Sequence, residues 1–251
     1  MDAKRSRKAY WDQVSPEYNS LYSGAFSRRE DARLQYWLES AIDFRKKPRI
    51  LDIGCGTGLG LFLLRRISSN FSYVGIDVSE GMLSQFRSRI ARSPVGIEVD
   101  LIVCDAHDIE RLFEAQRFDV IIMINAVASY LGGPTRLLRR TRSVLAENGL
   151  IFASFLNRHS LRRLLRRERS VIEIYNTRGV DGGLQGIEAI TIERRELEIR
   201  CMRSGFSPRF IRFQSVLGGV WEGRAATSIE AVVEQIAPSL GHTINLLAKK
   251  I

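Results

Sequence analysis

The chain has 251 residues, of which 45% are hydrophobic, and this is enough for one α/β domain with an elaboration. No apolar run approaches the about 20 residues that span a bilayer, and Tyr10 and Trp11 follow the basic start where a signal peptide would carry an apolar segment. The three cysteines and three histidines have unrelated spacings, so we expect no disulfide framework, no metal site and a reducing, cytoplasmic compartment. The formal net charge is +10, and most of it falls in the second half of the chain.

Two helices are predicted ahead of the first strand, over residues 10–22 and 28–44. The first segment carries four aromatic residues, Tyr10, Trp11, Tyr18 and Tyr22. The second carries apolar residues at helical spacing and should pack on a sheet; these are Leu34, Trp37, Leu38 and Ile42. We therefore expect residues 1–45 to form an N-terminal helical cap.

A buried strand, an acidic residue and three alternating glycines follow, in the run from Ile50 to Gly58. Glycine tolerates positive φ and lets a ligand approach the main chain, and the next helix offers free N–H groups. A dinucleotide fold would read G-x-G-x-x-G, whereas here the spacing is G-x-G-x-G and Leu59 stands where the third glycine would fall. The turn therefore indicates a nucleotide ligand of a different kind.

Three more apolar runs alternate with helical patterns, which indicates a parallel sheet. Residues 73–77 end in Asp77, about 20 residues beyond the glycines, the distance expected for a carboxylate that binds ribose hydroxyls. Residues 99–105 end in Asp105, placed to accept a hydrogen bond from an amino group. Residues 118–124 are the most apolar and should form the central strand, covered on both faces.

The segments ILDIGCGTG, VGIDVSEGML, IVCDAHDI and FDVIIMINAVASYL resemble the four successive motifs of the class I S-adenosylmethionine-dependent methyltransferases. The later segments SVLAENGLI and RSGF are similar to the elements that close that family's domain. The resemblance covers residues 45–156 fully and 190–250 more loosely. It implies an α/β fold with a Rossmann-like seven-stranded sheet, mostly parallel with an antiparallel edge strand, and an N-terminal element that often covers the active site.

The resemblance also implies roles for particular residues. Gly54, Gly56 and Gly58 would line the methionine end of S-adenosylmethionine, Asp77 would hold the ribose hydroxyls, and Asp105 with Ala106 would meet the adenine edge. The cofactor-binding set implied in this way is Asp52, Gly54, Cys55, Gly56, Gly58, Asp77, Val78, Met82, Asp105, Ala106 and Asn125. Simpler interpretations stay open, because an aspartate at a strand end often caps a turn. Asp52 would orient the cofactor's amino group or the turn itself, Cys55 fits a small filler, and Met82 fits a core residue.

Beyond a strand at residues 150–155, the pattern predicts a basic amphipathic helix over 157–169, with Leu161, Leu164 and Leu165 on one face. Next come a hairpin or flap from 171–176 and 187–192, and a helix over 193–204 ended by Gly205. Two final strands at 209–213 and 242–249 should form an antiparallel pair at the sheet edge. We expect one domain over residues 1–251, with a cap at 1–45, a cofactor-binding core at 46–156, and a substrate-side insertion with the final strands at 157–251.

Methyl transfer from a sulfonium needs alignment and water exclusion, and a hydroxyl acceptor also needs a base within hydrogen-bond reach. Candidates for acceptor contact follow strands four and five; they are Asn125, Ser129, Tyr130, Asn157 and His159. Of these, His159, Asn125 and Tyr130 are the weak candidates for a catalytic role, and His159 fits a helix cap or an exposed side chain better than it fits a base. The sequence therefore names no base.

Residues 136–169 hold ten arginines against Glu147 and Glu168. The cluster fits a solvated helical face, a site for an anionic or carrier-bound acceptor, or a nucleic-acid or membrane surface. We expect a methyltransferase that acts on a nitrogen or oxygen of a small acceptor and releases S-adenosylhomocysteine. If the arginines bind the acceptor, we expect the acceptor to be anionic. The alternatives are an RNA or protein methyltransferase that docks through the arginines, although Asn125-Ala126-Val127-Ala128 lacks the Asn-Pro-Pro-Tyr pattern, and a non-catalytic cofactor-binding module. The acceptor and the oligomeric state are not determined by the sequence.

Overall fold

The computed structural model describes residues 3–93, 96–168, 170–175, 186–217, 220 and 224–251. Helical segments separate the successive strands from residue 49 to the strand that ends at Asn157, as the sequence predicts for residues 49–156. The strands are β1 (Arg49–Ile53), β2 (Ser72–Asp77), β3 (Val99–Val103), β4 (Phe118–Met123), β5 (Leu145–Asn157), β6 (Ile172–Tyr175), β7 (Ile187–Ile192), β8 (Phe206–Gln214) and β9 (Thr243–Lys250). The helices are α1 (Ala3–Val14), α2 (Tyr18–Leu21), α3 (Ala25–Ala41), α4 (Leu59–Ile67), α5 (Glu80–Arg92), α6 (Ile109–Leu112), α7 (Val127–Tyr130), α8 (Pro134–Val144), α9 (Leu161–Leu165), α10 (Arg194–Arg203) and α11 (Arg224–Ile236).

The predicted seven-stranded sheet is present, in the order β3-β2-β1-β4-β5-β9-β8. The first five of these strands are parallel, and β9 is antiparallel to both β5 and β8. The final two strands therefore pair at one edge, as predicted. Within the described residues the sheet has two further strands, because β7 pairs with the end of β5 and β6 pairs antiparallel with β7.

Both faces of the sheet are buried. Successive residues of β1 point to opposite sides, so Leu51 and Ile53 join one apolar core while Ile50 joins the other. Leu34, Trp37 and Leu38 of α3 pack in the second core and are 4% exposed or less, which confirms the predicted contact of this helix with the sheet. A sheet covered on both faces is why β4, between β1 and β5, is almost wholly apolar.

The N-terminal segment differs from the prediction. Residues 10–22 form the end of α1 and the short α2, not one helix, because the chain turns at residues 15–17. Pro16 has no amide hydrogen for a helical hydrogen bond, and its ring disfavours the helical conformation of the residue before it. The break allows α1 and α2 to take different directions.

The predicted basic helix over 157–169 is wrong. Strand β5 continues to Asn157 because Leu156 and Asn157 pair with β7, and α9 has only five residues. Its interior side chain is Arg163, which is 1% exposed and donates a hydrogen bond to the carbonyl of Ser170 at 3.0 Å. Leu164 and Leu165 are 43% and 65% exposed, so the leucines do not form a buried face.

Two further predictions beyond the core are confirmed. Strands β6 and β7 pair antiparallel, as predicted for the hairpin, and α10 ends before Gly205, whose φ is +80°. Residue 176 of the predicted hairpin and the connection from 177 to 185 lie outside the described residues. Among the described residues, no helix combines the length and the apolarity needed to cross a membrane.

Candidate active site

The turn between β1 and α4 contains three glycines with positive φ, namely Gly54 (+70°), Gly56 (+53°) and Gly58 (+93°). They serve different purposes. A Cβ on Gly58 would lie 2.2 Å from the ring of Phe86, and a Cβ on Gly54 would lie 2.6 Å from Val127 Cγ1, so both positions are needed for packing. A Cβ on Gly56 would meet nothing within 4 Å, because this residue faces an open cleft.

Asp77 ends β2 beside that turn and ties the two elements together. Its Oδ2 accepts a hydrogen bond from the amide of Gly56 and its Oδ1 accepts one from the amide of Ser79, both at 2.9 Å. Burial raises the pKa of Asp77 to about 6, against the lowering effect of these amide donors. The carboxylate also lines the cleft, so it fastens the glycine turn while facing a ligand.

Asp105 follows β3 on the other side of the cleft. It accepts hydrogen bonds from Arg7 of α1 at 3.0 Å and from the amide of His107 at 2.9 Å. Burial alone would raise the pKa of Asp105, but the hydrogen bonds from His107 and Arg7 outweigh it and hold the pKa below its ordinary value. The carboxylate that the resemblance assigns to adenine is therefore engaged by a side chain 98 residues earlier in the chain.

Asp52 lies beneath the turn, outside the described lining of the cleft. It is fully buried and accepts a hydrogen bond from the hydroxyl of Tyr73 at 2.6 Å. A Cβ on Gly60 would lie 2.2 Å from its Oδ2, so α4 packs directly on this carboxylate. Burial raises the pKa of Asp52 to about 7.

The stability of the protein relative to an Asp52→Asn variant should therefore depend on pH. The pKa of Asp52 in the folded protein lies above its unfolded value of 3.8, so ionisation of this carboxyl destabilises the fold. This destabilisation is absent below pH 4, grows as the pH rises, and is complete above about pH 7. We expect the free energy of unfolding of the wild type, relative to that of the variant, to fall by about 3 kcal/mol between pH 4 and pH 8. Urea unfolding of both proteins at the two pH values measures this change. Asp100→Asn, at an exposed position of β3, should show no such change, and parallel curves for wild type and Asp52→Asn would contradict the prediction.

Two cavities open at the carboxyl ends of the parallel strands. The cleft over the glycine turn has a volume of about 80 Å³, and a larger cavity beside it has a volume of about 530 Å³. The side chains that line both are Trp11, Tyr18, Asn125 and Tyr130. The two spaces thus meet at the N-terminal helices and the segment after β4, where Asn125 and Ala126 have φ values of +54° and +61°.

Helices α1 and α2 cover this junction with aromatic side chains. The rings of Tyr22, Tyr18, Trp11 and Tyr130 form a continuous row, with successive centroids 4.9, 6.3 and 5.6 Å apart. Asp12 fastens α1 to the start of α5 by accepting hydrogen bonds from Ser79 Oγ at 2.7 Å and from the amide of Gly81 at 3.1 Å. Trp11, Tyr18 and Tyr22 of the predicted first segment therefore lie at the site, whereas Tyr10 is a buried core residue.

The other implied cofactor residues occupy several environments. Val78, Met82 and Ala106 line the cleft, and Met82 is 2% exposed, so it is both a core and a cleft residue. Cys55 is buried behind the turn, where its Sγ lies 2.9 Å from the position of a Cβ on Gly75, which fits the small-filler interpretation.

The candidates for acceptor contact separate in the structure. Asn125 and Tyr130 line both cavities, whereas His159 is outside both described linings, with its side chain 58% exposed and its Nε2 3.3 Å from Glu193. Ser129 accepts a hydrogen bond from the amide of Leu156, and Asn157 donates to the carbonyls of residues 239 and 241, so both stabilise the backbone. Other residues of the two linings were not predicted from the sequence. The only feature of the sequence that pointed to them was their position on the cap helices or next to the last strands. They include Arg7, Glu30, Asp31, Gln214, Ser215 and His242.

Comparisons with known proteins agree with this geometry. Residues 50–149 match a family model described as a methyltransferase domain. The malonyl-[acyl-carrier protein] O-methyltransferase of Halalkalibacterium halodurans is 32% identical over 178 residues, which cover 64% of this chain and 61% of that protein. Cyclosporin synthetase of Tolypocladium inflatum is 29% identical over 154 residues, which cover 58% of this chain and 1% of that protein. The chain thus spans less than two thirds of the length of either curated relative.

Among solved structures, the magnesium protoporphyrin IX methyltransferase of Synechocystis PCC 6803 with bound S-adenosylhomocysteine superposes with a TM-score of 0.64. The superposition covers 100% of both chains at 14% sequence identity, so it shows a common fold.

Proposed function

We propose that this chain is a class I S-adenosylmethionine-dependent methyltransferase that transfers the cofactor's methyl group to a nitrogen or oxygen atom of a small organic acceptor. The observation that carries the proposal is the junction of two cavities at Asn125, Tyr130, Trp11 and Tyr18. One cavity has the family's glycine turn and acidic residue, and the other has room for a second molecule. A reaction between two bound molecules requires such adjacent sites.

The residues of the cleft fit the cofactor. Gly56 faces space that a side chain would fill, Asp77 presents a carboxylate at the end of β2, and the apolar lining includes Ile76 and Met82. We infer that Gly54 and Gly56 hold the methionine end, Asp77 the ribose hydroxyls, and Asp105 with Ala106 the adenine. Gly58, Cys55 and Asp52 support the turn from behind and from below.

The cleft in its present form is narrow. A volume of about 80 Å³ is below the roughly 300–1,000 Å³ of ordinary ligand pockets. The side chains that close it include Arg7 and Trp11 of α1 and Tyr18 of α2. Helix α1 is anchored by the buried Tyr10 and Val14 as well as by polar contacts such as that of Arg7. We infer that side chains at this end of the cleft rearrange when the cofactor enters.

When bound, S-adenosylmethionine supplies an electrophilic methyl group on a sulfonium sulfur that leaves as a neutral thioether. The chain's own contribution is to align the acceptor with that group and to exclude water. The aromatic row of Tyr22, Tyr18, Trp11 and Tyr130 covers the junction and excludes water there. Asn125 and Tyr130 are the polar side chains that we propose to position the acceptor atom.

The arginine cluster contributes less to acceptor binding than its charge suggests. Arg158 forms ion pairs with Glu193 and Glu196 at 2.9 Å, and Arg142 donates to the carbonyl of Ile251. Arg163 is buried in α9. Of the ten arginines, Arg162 is the one in the described lining of the large cavity. These contacts favour a structural role for Arg142, Arg158 and Arg163 over a part in a docking surface for RNA or protein.

The proposal is tested by calorimetric titration with S-adenosylmethionine, followed by an assay for S-adenosylhomocysteine release against small amines, phenols and carboxylic acids. We expect saturable one-to-one cofactor binding, and product release that depends on an acceptor from one of these classes. Saturable binding with no acceptor-dependent release from any class would favour the non-catalytic module. No binding of either cofactor form would contradict the proposal.

A further inference from the structure

We propose that the 530 Å³ cavity binds an acceptor that carries an amino group, and that the carboxylate of Glu30 and the aromatic row recognise that group. This inference rests on the proposed function and specifies its substrate class. The cavity is lined by aromatic residues on α1, α2 and α3 and by two adjacent carboxylates, Glu30 and Asp31. Aromatic faces and carboxylates together are the groups that bind ammonium ions in proteins.

Glu30 is held in place from a distant part of the chain. Its Oε2 accepts a hydrogen bond from Ser215 Oγ at 2.5 Å, and its backbone carbonyl accepts one from Gln214 Nε2 at 3.1 Å. Within the described part of the chain, its Oε1 has no hydrogen-bond donor, and the nearest guanidinium nitrogen, of Arg29, is 3.6 Å away. A buried carboxylate oxygen without a donor is unfavourable, so a rotation of the Glu30 side chain that brings this oxygen to the cavity would let it accept a hydrogen bond from a ligand.

The charges around Glu30 leave an excess of negative charge. Oxygens of Glu30, Glu230 and Glu234 lie within 4.8 Å of one another. Arg29 and Arg33 both donate to Glu234, and the two guanidinium groups face three carboxylates. Burial first, and then the charges of Glu234 and Glu230, raise the pKa of Glu30 to about 7, against the hydrogen bond from Ser215 and the charge of Arg33. An ammonium group beside Glu30 would relieve this repulsion.

The same contacts disfavour a metal ion in the three-glutamate cluster. Glu230 accepts hydrogen bonds from the amides of Val216 and Leu217 at 2.6 and 2.9 Å. Both oxygens of Glu234 are engaged by arginines. Glu30 alone of the three has an oxygen available, whereas a metal ion requires several.

The cavity lining also contains basic residues, of which Arg89 is already engaged. Arg89 donates to the carbonyl of Thr57 at 2.7 Å, and its guanidinium lies 4.3 Å from the ring centroid of Phe62. Burial raises the pKa of Asp31 to about 6, and the charges of Arg66 and Arg89 act to lower it. Arg92 and Arg162 complete the basic part of the lining, so an anionic probe is needed in the test.

The test uses three probes of similar size, phenethylamine, 2-phenylethanol and 3-phenylpropanoate, titrated into the full chain saturated with S-adenosylhomocysteine. We expect wild type to bind the amine at least about tenfold more tightly than the alcohol or the acid. Calorimetry near pH 7 in two buffers of different ionisation enthalpy should also show proton release from Glu30 with the amine and none with the alcohol. Glu30→Gln should lose the preference for the amine and keep the affinity for the alcohol. Glu39→Gln, an exposed position on the same helix, should behave as wild type.

Any of four results would overturn the proposal. They are equal affinity for the three probes, binding of none of them, tighter binding of the acid than of the amine, and an unchanged preference for the amine in Glu30→Gln. If Glu30→Gln fails to fold, the wild-type selectivity and the proton release decide the matter without it. Thermal stabilisation by Mg²⁺ or Zn²⁺ alone that Glu30→Gln abolishes would assign the cluster to a metal ion instead. Binding of S-adenosylhomocysteine is measured first: its absence would contradict the proposed function as well, whereas its presence without amine selectivity would overturn this inference alone.

Discussion

Replacing Asp77 by alanine should weaken the binding of S-adenosylmethionine by at least about 100-fold, equivalent to about 2.7 kcal/mol. The carboxylate accepts hydrogen bonds from the amides of Gly56 and Ser79 and lines the cleft. Its removal leaves two amide donors without their partner and removes the group that we propose as the acceptor for the ribose hydroxyls. Loss of a buried charged partner costs more than loss of a neutral one. Calorimetric titration measures the effect directly.

Asp100→Ala is the matched control for Asp77→Ala, because Asp100 lies on the neighbouring strand β3 with an exposed side chain. It should bind the cofactor as wild type does. Circular dichroism and urea unfolding establish whether Asp77→Ala keeps the fold. A folded Asp77→Ala variant whose dissociation constant stays within about threefold of wild type, about 0.7 kcal/mol, would refute the role of this residue.

The second large effect concerns the glycine turn. Gly58→Ala should lower the free energy of unfolding by about 3 kcal/mol, because φ at this position is +93° and the new Cβ would lie 2.2 Å from the buried ring of Phe86. The ring is itself held against Tyr73 and Phe62, so it cannot move without further cost. Urea unfolding of the variant beside wild type measures the loss of stability.

Gly56→Ala separates packing from ligand binding. Its φ of +53° carries a similar backbone strain, but the new Cβ meets nothing within 4 Å, so we expect a loss of about 1 kcal/mol of stability. The methyl group would project into the cleft, and cofactor affinity should fall by at least about tenfold, or 1.4 kcal/mol. If both variants lost the same stability, or if Gly56→Ala bound the cofactor normally, the assignment of Gly56 to the cleft would be wrong.

The arginine-rich region shows why a periodic pattern can mislead. The leucines at 161, 164 and 165 have the spacing of a buried helical face, yet Arg163 is the residue that packs inside. Strand pairing of Leu156 and Asn157 with β7 extends β5, and the helix that follows is too short for its own periodicity to govern burial. The sequence predicts a strand at 187–192, but nothing in the pattern around residues 156 and 157 shows that they pair with this strand 30 residues later.

The sequence by itself indicated the succession of strands and helices from 49 to 156, the glycine turn and the acidic residues at the ends of β2 and β3. These features depend on contacts between near neighbours in the chain, where apolar periodicity and positive φ leave a direct mark. The tertiary structure alone decided which side chains meet around the cavities. Arg7 reaches Asp105, and Glu30 meets Ser215 and Glu234, across 98 to about 200 residues of chain. Such contacts depend on how the cap helices and the final strands pack on the sheet, and packing between distant segments has no local sequence pattern.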